Sequence, residues 1–163
     1  MNKINFLFVT LFGIGKLKKI PGSYASLVTT IFLFFLFHIL NFSPNIILIV
    51  VIIVFFISLF AVNIFIKDLD NKDPKEVVID EFIGQSIPIC LYEIAHEGSK
   101  ETGQVLTIYF IMFILFRIFD IVKPYPVSYY DKNFKNSFGV IMDDVCAGLY
   151  VVAVLVLYMV INS

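Results

Sequence analysis

Two long segments without a charged side chain, residues 25–42 and 45–66, most constrain what this chain can fold into. Each approaches the roughly 20 apolar residues that a helix needs to cross a bilayer. At their junction the stretch NFSPN forms a polar turn, in which Pro44 ends one helix and starts the next. The chain is 60% hydrophobic and 15% charged, whereas roughly a quarter of the residues of soluble domains are charged. The sequence therefore predicts a membrane protein.

Three further apolar segments follow, at residues 82–95, 104–122 and 140–162. Segment 82–95 is shorter and contains Pro88, so it either crosses with help from its neighbours or enters the membrane and returns as a re-entrant segment. We therefore expect an all-α fold, a small polytopic membrane bundle of about four to five apolar helices. No stretch resembles a linker, so residues 1–163 are expected to form a single domain.

Basic residues indicate how these segments are oriented. If all five alternate across the bilayer, residues 1–24, 67–81 and 123–139 share one side and carry ten of the twelve Lys and Arg residues. The other side receives Lys100, and Arg117 lies within a segment. The positive-inside rule then places the lysine-rich side in the cytoplasm.

Three groups of charged residues fall at the same predicted depth, near the cytoplasmic interface: Asp80 with Glu81, Arg117 with Asp120, and Asp143 with Asp144. The first group precedes the third segment, the second ends the fourth, and the third lies in the first turn of the fifth. Any one pair is explained by charges at a helix end that reach water. Three groups at one depth indicate a functional site, because ionisable residues that face the interior of a membrane bundle are costly to keep.

The residue types in this cluster favour a particular ion. Packed carboxylates repel one another unless a cation neutralises them. Carboxylates without histidine or cysteine suit a hard, oxygen-preferring ion, and Mg²⁺ fits best. Such an ion beside Arg and Lys at the headgroup plane suits a phosphorylated lipid as substrate.

A possible phosphate-binding feature lies in KKIPGSYAS, residues 18–26. Gly22 and Ser23 open the first apolar segment just after basic residues, so free backbone N–H groups there suit an anion. Pro-Gly-Ser is also an ordinary turn and helix cap, and both interpretations stay open on these residues.

Several other classes lack the residues that they need. The net charge of −1 and the absence of an arginine-rich run exclude a nucleic-acid partner. His38 and His96 are predicted in an apolar segment and an outer loop, so a phosphohistidine mechanism has no candidate at the right depth. Cys90 and Cys146 lack the spacing of a cysteine-phosphatase loop, and no Asp-x-Asp-x-Thr/Val motif occurs. What remains is metal-assisted attack by water or by an unusual carboxylate nucleophile.

Five blocks in order resemble the phosphatidylglycerophosphatase A family: IPGSYASL (20–27), DEFIGQ (80–85), FRIFDIVKPYPV (116–127), Asp131 in YYDKN, and GVIMDDVCAG (139–148). The resemblance runs from about residue 13 to 150 and is weakest in segment 45–66. It implies a helical, Mg²⁺-dependent, multi-pass enzyme of the bacterial inner membrane, with its active site at the cytoplasmic face. Its substrate would be phosphatidylglycerophosphate among the membrane lipids, and its product phosphatidylglycerol. The family often has Trp where this chain has Tyr125, a conservative change.

The resemblance also implies a role for each site residue. The implied catalytic residues are Asp80, Asp120, Asp143 and Asp144. The implied metal ligands are Asp80, Glu81, Asp143 and Asp144. The implied substrate-binding residues are Gly22, Ser23, Ser26, Arg117, Lys123 and Asp131. Gly84 and Gly148 follow the acidic pairs by one turn and are expected to let helices approach closely.

Two other classes of membrane protein also use clustered acidic residues. A transport or scaffold protein would use the acidic cluster as part of an ion path, but the charges do not continue across the membrane, and Glu93 stands alone near the far side. An alcohol phosphatidyltransferase also uses aspartates and Mg²⁺, but its spaced motif on one helix is missing. The sequence leaves open whether the protein forms a homo-oligomer.

Overall fold

The computed structural model of the protein describes residues 3–96 and 102–161. Within these ranges the chain forms helices and no β-strand, which confirms the all-α prediction. The α-helices are α1 (Lys3–Val9), α2 (Pro21–His38), α3 (Pro44–Ile66), α4 (Ile79–His96), α5 (Thr102–Val122), α6 (Val127–Asn133) and α7 (Ser137–Ile161). A short 3-10 helix, Ile14–Lys16, lies between α1 and α2. Lys100, predicted for the side poor in lysine, lies outside the described residues.

Four of the described helices, α2, α3, α5 and α7, are long and apolar enough to cross a membrane, judged by length and composition. Proline occupies the first position of α2 and of α3, where its missing N–H costs no hydrogen bond. These helices present large apolar side chains outward; Phe60 on α3 is 74% exposed and Phe110 on α5 is 62% exposed. An outer surface of this kind is stable against lipid and not against water.

Helix α4 is the most enclosed helix of the bundle. It packs against α2, α3, α5 and α7. It begins beside the first residues of α2, where Glu81 approaches Gly22. It ends beside the last residue of α2, where Glu93 contacts His38. Residues 82–95 therefore belong to one continuous helix that runs the length of α2 without reversing direction. That this helix crosses the membrane stays a prediction.

The starts of two helices differ from the predicted ones. α4 begins at Ile79, so Asp80 and Glu81 lie in its first turn and not ahead of it. α7 begins at Ser137, so the prediction that Asp143 and Asp144 occupy its first turn was wrong; they lie in its second turn. The reason is a polar cap, because the Asn136 side chain accepts a hydrogen bond from the Gly139 amide at 3.0 Å and starts the helix early.

Two glycines join α4 to α7 in a close backbone contact. A Cβ atom on Gly148 would lie 2.3 Å from the carbonyl oxygen of Gly84. A Cβ on Gly84 would in turn lie 2.6 Å from the carbonyl oxygen of Asp144. The two backbones therefore touch, as expected of these glycines, and this contact brings the acidic pairs of both helices to one place.

Candidate active site

One cavity of about 1000 Å³ opens where the first turns of α2 and α4, the second turn of α7 and the last turns of α5 meet. Most of the sequence-predicted site residues line it: Gly22, Ser23, Asp80, Glu81, Arg117, Asp120, Lys123, Asp143 and Asp144. Ser26 and Asp131 lie behind its wall, and each contacts a residue that lines it. The structure thus brings residues of four helices together around one space, and the charged ones come from α4, α5, α7 and the residue after α5.

Three of the carboxylates that line this cavity form a cluster. One ligand oxygen each from Asp80, Glu81 and Asp144 lies within 4.8 Å of the other two. Asp80 and Asp144 are buried, with 7% and 3% of their surface exposed. Carboxylates this close repel unless positive charge lies between them. The arrangement suits a small cation that all three can contact.

Glu81 supplies a direct test of whether a cation fits. Its Oε2 atom is buried and has no hydrogen-bond partner among the described residues. A buried carboxylate oxygen without a donor is costly, and a metal ion would satisfy it. The donor set is entirely oxygen, which matches the preference of Mg²⁺.

The acidic pairs on α4 and α7 have the same local geometry. Asp80 Oδ1 accepts a hydrogen bond from the Glu81 amide at 3.1 Å. Asp143 Oδ1 likewise accepts one from the Asp144 amide at 3.0 Å. In each pair, the first carboxylate is therefore held in place by the backbone of the second residue.

Lys123 pairs with Asp143, the acidic residue of α7 that lies outside the three-carboxylate cluster. Its ammonium donates to Asp143 Oδ2 at 2.7 Å and to Asp131 Oδ1 at 2.6 Å. Partial burial lowers the pKa of Lys123, but Asp143 and Asp131 raise it by more, so the pKa lies above its ordinary value and the lysine stays charged. Asp143, predicted as a metal ligand, is thus already paired with a cation of the protein.

Arg117 supplies the second positive charge. Its Nη1 atom lies 2.8 Å from Asp120 Oδ2, three residues along α5, so the two share a helix face as predicted. The same Nη1 donates to the hydroxyl of Ser26 at 3.3 Å. Ser26 is fully buried and also donates to the Gly22 carbonyl, so it holds the guanidinium in place.

Comparison with known proteins identifies the family to which the chain belongs. The family model of phosphatidylglycerophosphatase A matches residues 7–159 of the chain. This chain belongs to the phosphatidylglycerophosphatase A family. The resemblance noted in the sequence is confirmed, and membership makes the protein a phosphoric monoester hydrolase.

Curated relatives agree with this assignment. Phosphatidylglycerophosphatase A of Haemophilus influenzae is 33% identical over 94% of this chain and 87% of its own length. Phosphatidylglycerophosphatase A of Escherichia coli is 28% identical over 85% of this chain and 73% of its own. A putative phosphatidylinositol-3-phosphatase of Bacteroides thetaiotaomicron is 34% identical over 92% of each chain. No solved structure matches the chain significantly.

Gly22, which was predicted to help bind an anion, lies directly against Glu81 and Arg117. A Cβ on Gly22 would lie 1.9 Å from Glu81 Oε1 and 3.5 Å from Arg117 Nη1. Glu81 therefore occupies the space that a side chain at position 22 would need, so only glycine fits at this position. Ser23 follows directly and lines the cavity.

Other cavity residues were missed by the sequence reasoning. Lys16 and Lys18 come from the segment before α2, and Asn71, Asp73 and Lys75 come from the loop between α3 and α4. Nothing in the sequence separates Asp73 from Asp68 and Asp70 in the same polar loop. Only the folding of that loop over the cavity distinguishes it.

At the opposite end of α4 the structure corrects one expectation. Glu93 was expected to stand alone, but it is buried and its Oε1 accepts a hydrogen bond from the Tyr109 hydroxyl at 2.9 Å. His38 Nε2 lies 3.2 Å from the same oxygen. His38 ends α2 and Tyr109 comes from α5, so the partners come from helices whose apolar patterns gave no sign of this contact.

Proposed function

We propose that this protein hydrolyses the terminal phosphomonoester of phosphatidylglycerophosphate in a Mg²⁺-dependent reaction, giving phosphatidylglycerol and phosphate. The observation that carries the proposal is the convergence of three clustered carboxylates, Arg117 and Lys123 on one cavity at the ends of apolar helices. Family membership supports the reaction class, and two relatives that are named phosphatidylglycerophosphatase A support the substrate.

Asp80, Glu81 and Asp144 would hold the metal ion. When bound, Mg²⁺ supplies positive charge that neutralises phosphate oxygens as the P–O bond breaks. The buried oxygen of Glu81 without a partner supports this assignment over a purely structural one.

The protein's own cations would hold the phosphate. An ammonium has three donors, and Lys123 uses two of them on Asp131 and Asp143. The third remains for a phosphate oxygen. Arg117 lines the cavity with its position maintained by Asp120 and Ser26. Both groups stabilise the charge that the transferring phosphoryl group carries.

A water molecule would attack phosphorus in line with the leaving oxygen. We assign its orientation to Asp120, which lines the cavity outside the three-carboxylate cluster. The P–O bond to the lipid glycerol breaks, the glycerol oxygen takes up a proton, and water supplies the new P–O bond of inorganic phosphate. No covalent enzyme intermediate is needed for this balance.

The cavity is proposed to face the cytoplasm at a bacterial inner membrane. Lys16, Lys18 and Lys75 line it, and these lysines belong to the polar stretches that the positive-inside rule assigns to the cytoplasm. The substrate headgroup would reach the cavity from the lipid surface while its acyl chains stay in the bilayer.

The test is phosphate release by the purified protein from a panel of phosphorylated lipids, with and without Mg²⁺. The panel includes phosphatidylglycerophosphate, phosphatidylinositol 3-phosphate and phosphatidic acid. We expect release from the first, lost in EDTA and restored by Mg²⁺. Release from phosphatidylinositol 3-phosphate instead would reassign the headgroup. No release from any of them would refute the phosphatase and favour a transport or scaffold protein.

A further inference from the structure

An apolar groove of about 450 Å³ lies beside the cavity. It is bounded by the chain from α1 to the 3-10 helix, by α2, by α3 and by the start of α4. None of its lining residues is charged, and its most polar group, the hydroxyl of Thr29, is satisfied by the Ala25 carbonyl at 2.8 Å. The groove therefore offers no partner to a headgroup and suits a hydrocarbon chain.

Two segments of the chain line both the groove and the acidic cavity. Ile14 lines the groove, and the next residues, Gly15 and Lys16, line the cavity. On α4, Ile79 and Phe82 line the groove, while the two carboxylates between them line the cavity. The groove and the cavity are therefore neighbouring spaces on two sides of the same segments.

Helix α2 gives the direction of the groove. Pro21 lines the cavity, whereas Val28 and Phe32 line the groove. Val28 and Phe32 follow Pro21 by seven and eleven residues, so all three lie on one face of the helix, and at a rise of about 1.5 Å per residue they lie about 11 Å and about 17 Å along it from Pro21. The groove therefore leads from the level of the charged residues into the apolar part of the bundle.

We infer that the groove holds one acyl chain of the lipid substrate while its terminal phosphate lies in the cavity. This inference rests on the proposed function. It concerns the acyl chain of the substrate, whose binding does not depend on the identity of the headgroup. In a bilayer the chain gains little by leaving other lipid tails, since these are equally apolar. What the groove contributes is position: it aligns the glycerol and phosphate with the carboxylates and cations.

A groove-filling variant tests this against a matched control. Val28 lines the groove and is 43% exposed, so Val28→Trp adds bulk inside the groove. The control, Val156→Trp, adds the same bulk on α7 outside the groove, at a residue that is 46% exposed. Each is assayed on phosphatidylglycerophosphate with long acyl chains and on its deacylated headgroup, glycerophosphoglycerophosphate. We expect Val28→Trp to lower kcat/KM at least about tenfold on the diacyl substrate only, because misplacing reacting atoms by about an ångström can cost about a hundredfold. Val156→Trp should change neither.

A fluorescence measurement makes the test independent of turnover. The chain contains no Trp, so Phe32→Trp introduces a single reporter in the groove, and Phe110→Trp on α5 serves as a lipid-exposed control. The probe is a non-hydrolysable phosphonate analogue of the substrate with brominated acyl chains, at low mole fraction in vesicles of unbrominated phospholipid. We expect the F32W emission to be quenched far more than the F110W emission.

The outcomes separate the inference from the proposed function. If the parent protein releases no phosphate from either substrate, both fail. If the parent is active but Val28→Trp affects both substrates equally, or neither, the inference alone fails. Equal quenching of F32W and F110W would show that the groove holds bulk lipid. Loss of the F32W quenching only at high protein concentration would show that a second copy of the protein occupies the groove. Either result overturns the inference.

Discussion

Replacing Asp144 by asparagine should make this protein less active and more stable in metal-free buffer. The substitution keeps the shape of the side chain and removes one of the three charges whose oxygens lie within 4.8 Å of one another. At an effective dielectric constant of about 20, two unit charges at this upper limit of 4.8 Å repel by about 3.5 kcal/mol, and closer ones repel more. Asp144 has two such neighbours, so its charge is costly when no cation is bound.

The expected gain in stability is smaller than that sum. Partial protonation of the three carboxylates relieves part of the repulsion in the metal-free parent, so we expect Asp144→Asn to raise its free energy of unfolding by about 1 to 2 kcal/mol. For a chain of this size that raises Tm by about 2 to 8 °C. The same variant should lose most of the Tm increase that Mg²⁺ gives the parent, and phosphate release should fall about a hundredfold or more, about 3 kcal/mol in the barrier.

Thermal unfolding in detergent can be followed with a thiol-reactive fluorogenic dye, because Cys90 and Cys146 are both free and buried until the bundle opens. Asp70→Asn, an exposed acid of the loop between α3 and α4, is the matched control and should change neither Tm nor rate. A lower Tm for Asp144→Asn in EDTA, together with an intact response to Mg²⁺, would refute the reasoning. Asp144 would then be a structural acceptor and not part of a cation site.

Four further outcomes are expected. EDTA should abolish phosphate release and Mg²⁺ should restore it; full turnover after metal removal would contradict the assignment of the carboxylates. Gly148→Ala should lower the stability of the bundle by about 1 to 3 kcal/mol in thermal unfolding, because its Cβ would meet the Gly84 carbonyl oxygen at 2.3 Å, whereas Gly103→Ala, with nothing within 4 Å, should not. Glu93→Gln should lower the free energy of unfolding by about 1 to 3 kcal/mol because it weakens the buried contacts to His38 and Tyr109. The rate of phosphate release per folded molecule should stay within a few-fold of the parent's, and a selective loss of that rate would show that Glu93 takes part in the reaction. Cysteine labelling in intact cells should reach the 67–76 loop only from the cytoplasm and a site near residue 99 only from outside, and labelling of both from one side would show that α4 does not cross.

Much of the fold followed from the apolar pattern of the sequence. Long uncharged segments can satisfy their backbone in lipid only as helices, so α2 and α3 were predictable. The start of α7 was not, because it depends on one cap: the side chain of Asn136 begins the helix ahead of the strongly apolar stretch. A search for hydrophobic segments does not detect a cap of this kind.

The site was predictable in part for a similar reason. Asp80, Glu81 and Asp144 were expected at one depth, and the structure brings their oxygens together. Which acids face one another and which face a lysine was not predictable, since Lys123 joins Asp131 and Asp143 across two helices and a loop. Asp73 was missed and Glu93 was wrongly expected to stand alone, because their environments are created by tertiary packing and leave no local pattern.

The glycine contact between α4 and α7 has a consequence for the order in which this protein becomes active during synthesis. α4 carries two of the three clustered carboxylates and is synthesised early, whereas the third is on α7, after α5 and α6. A nascent chain that has inserted only through α5 holds an acidic pair without its partner on α7. Because Gly84 and Gly148 set how closely α7 can approach, docking of this helix both completes the bundle and assembles the acidic cluster. Hydrolytic competence would then appear in one step, at the insertion of α7, and unfinished chains in the membrane would not act on its phospholipids.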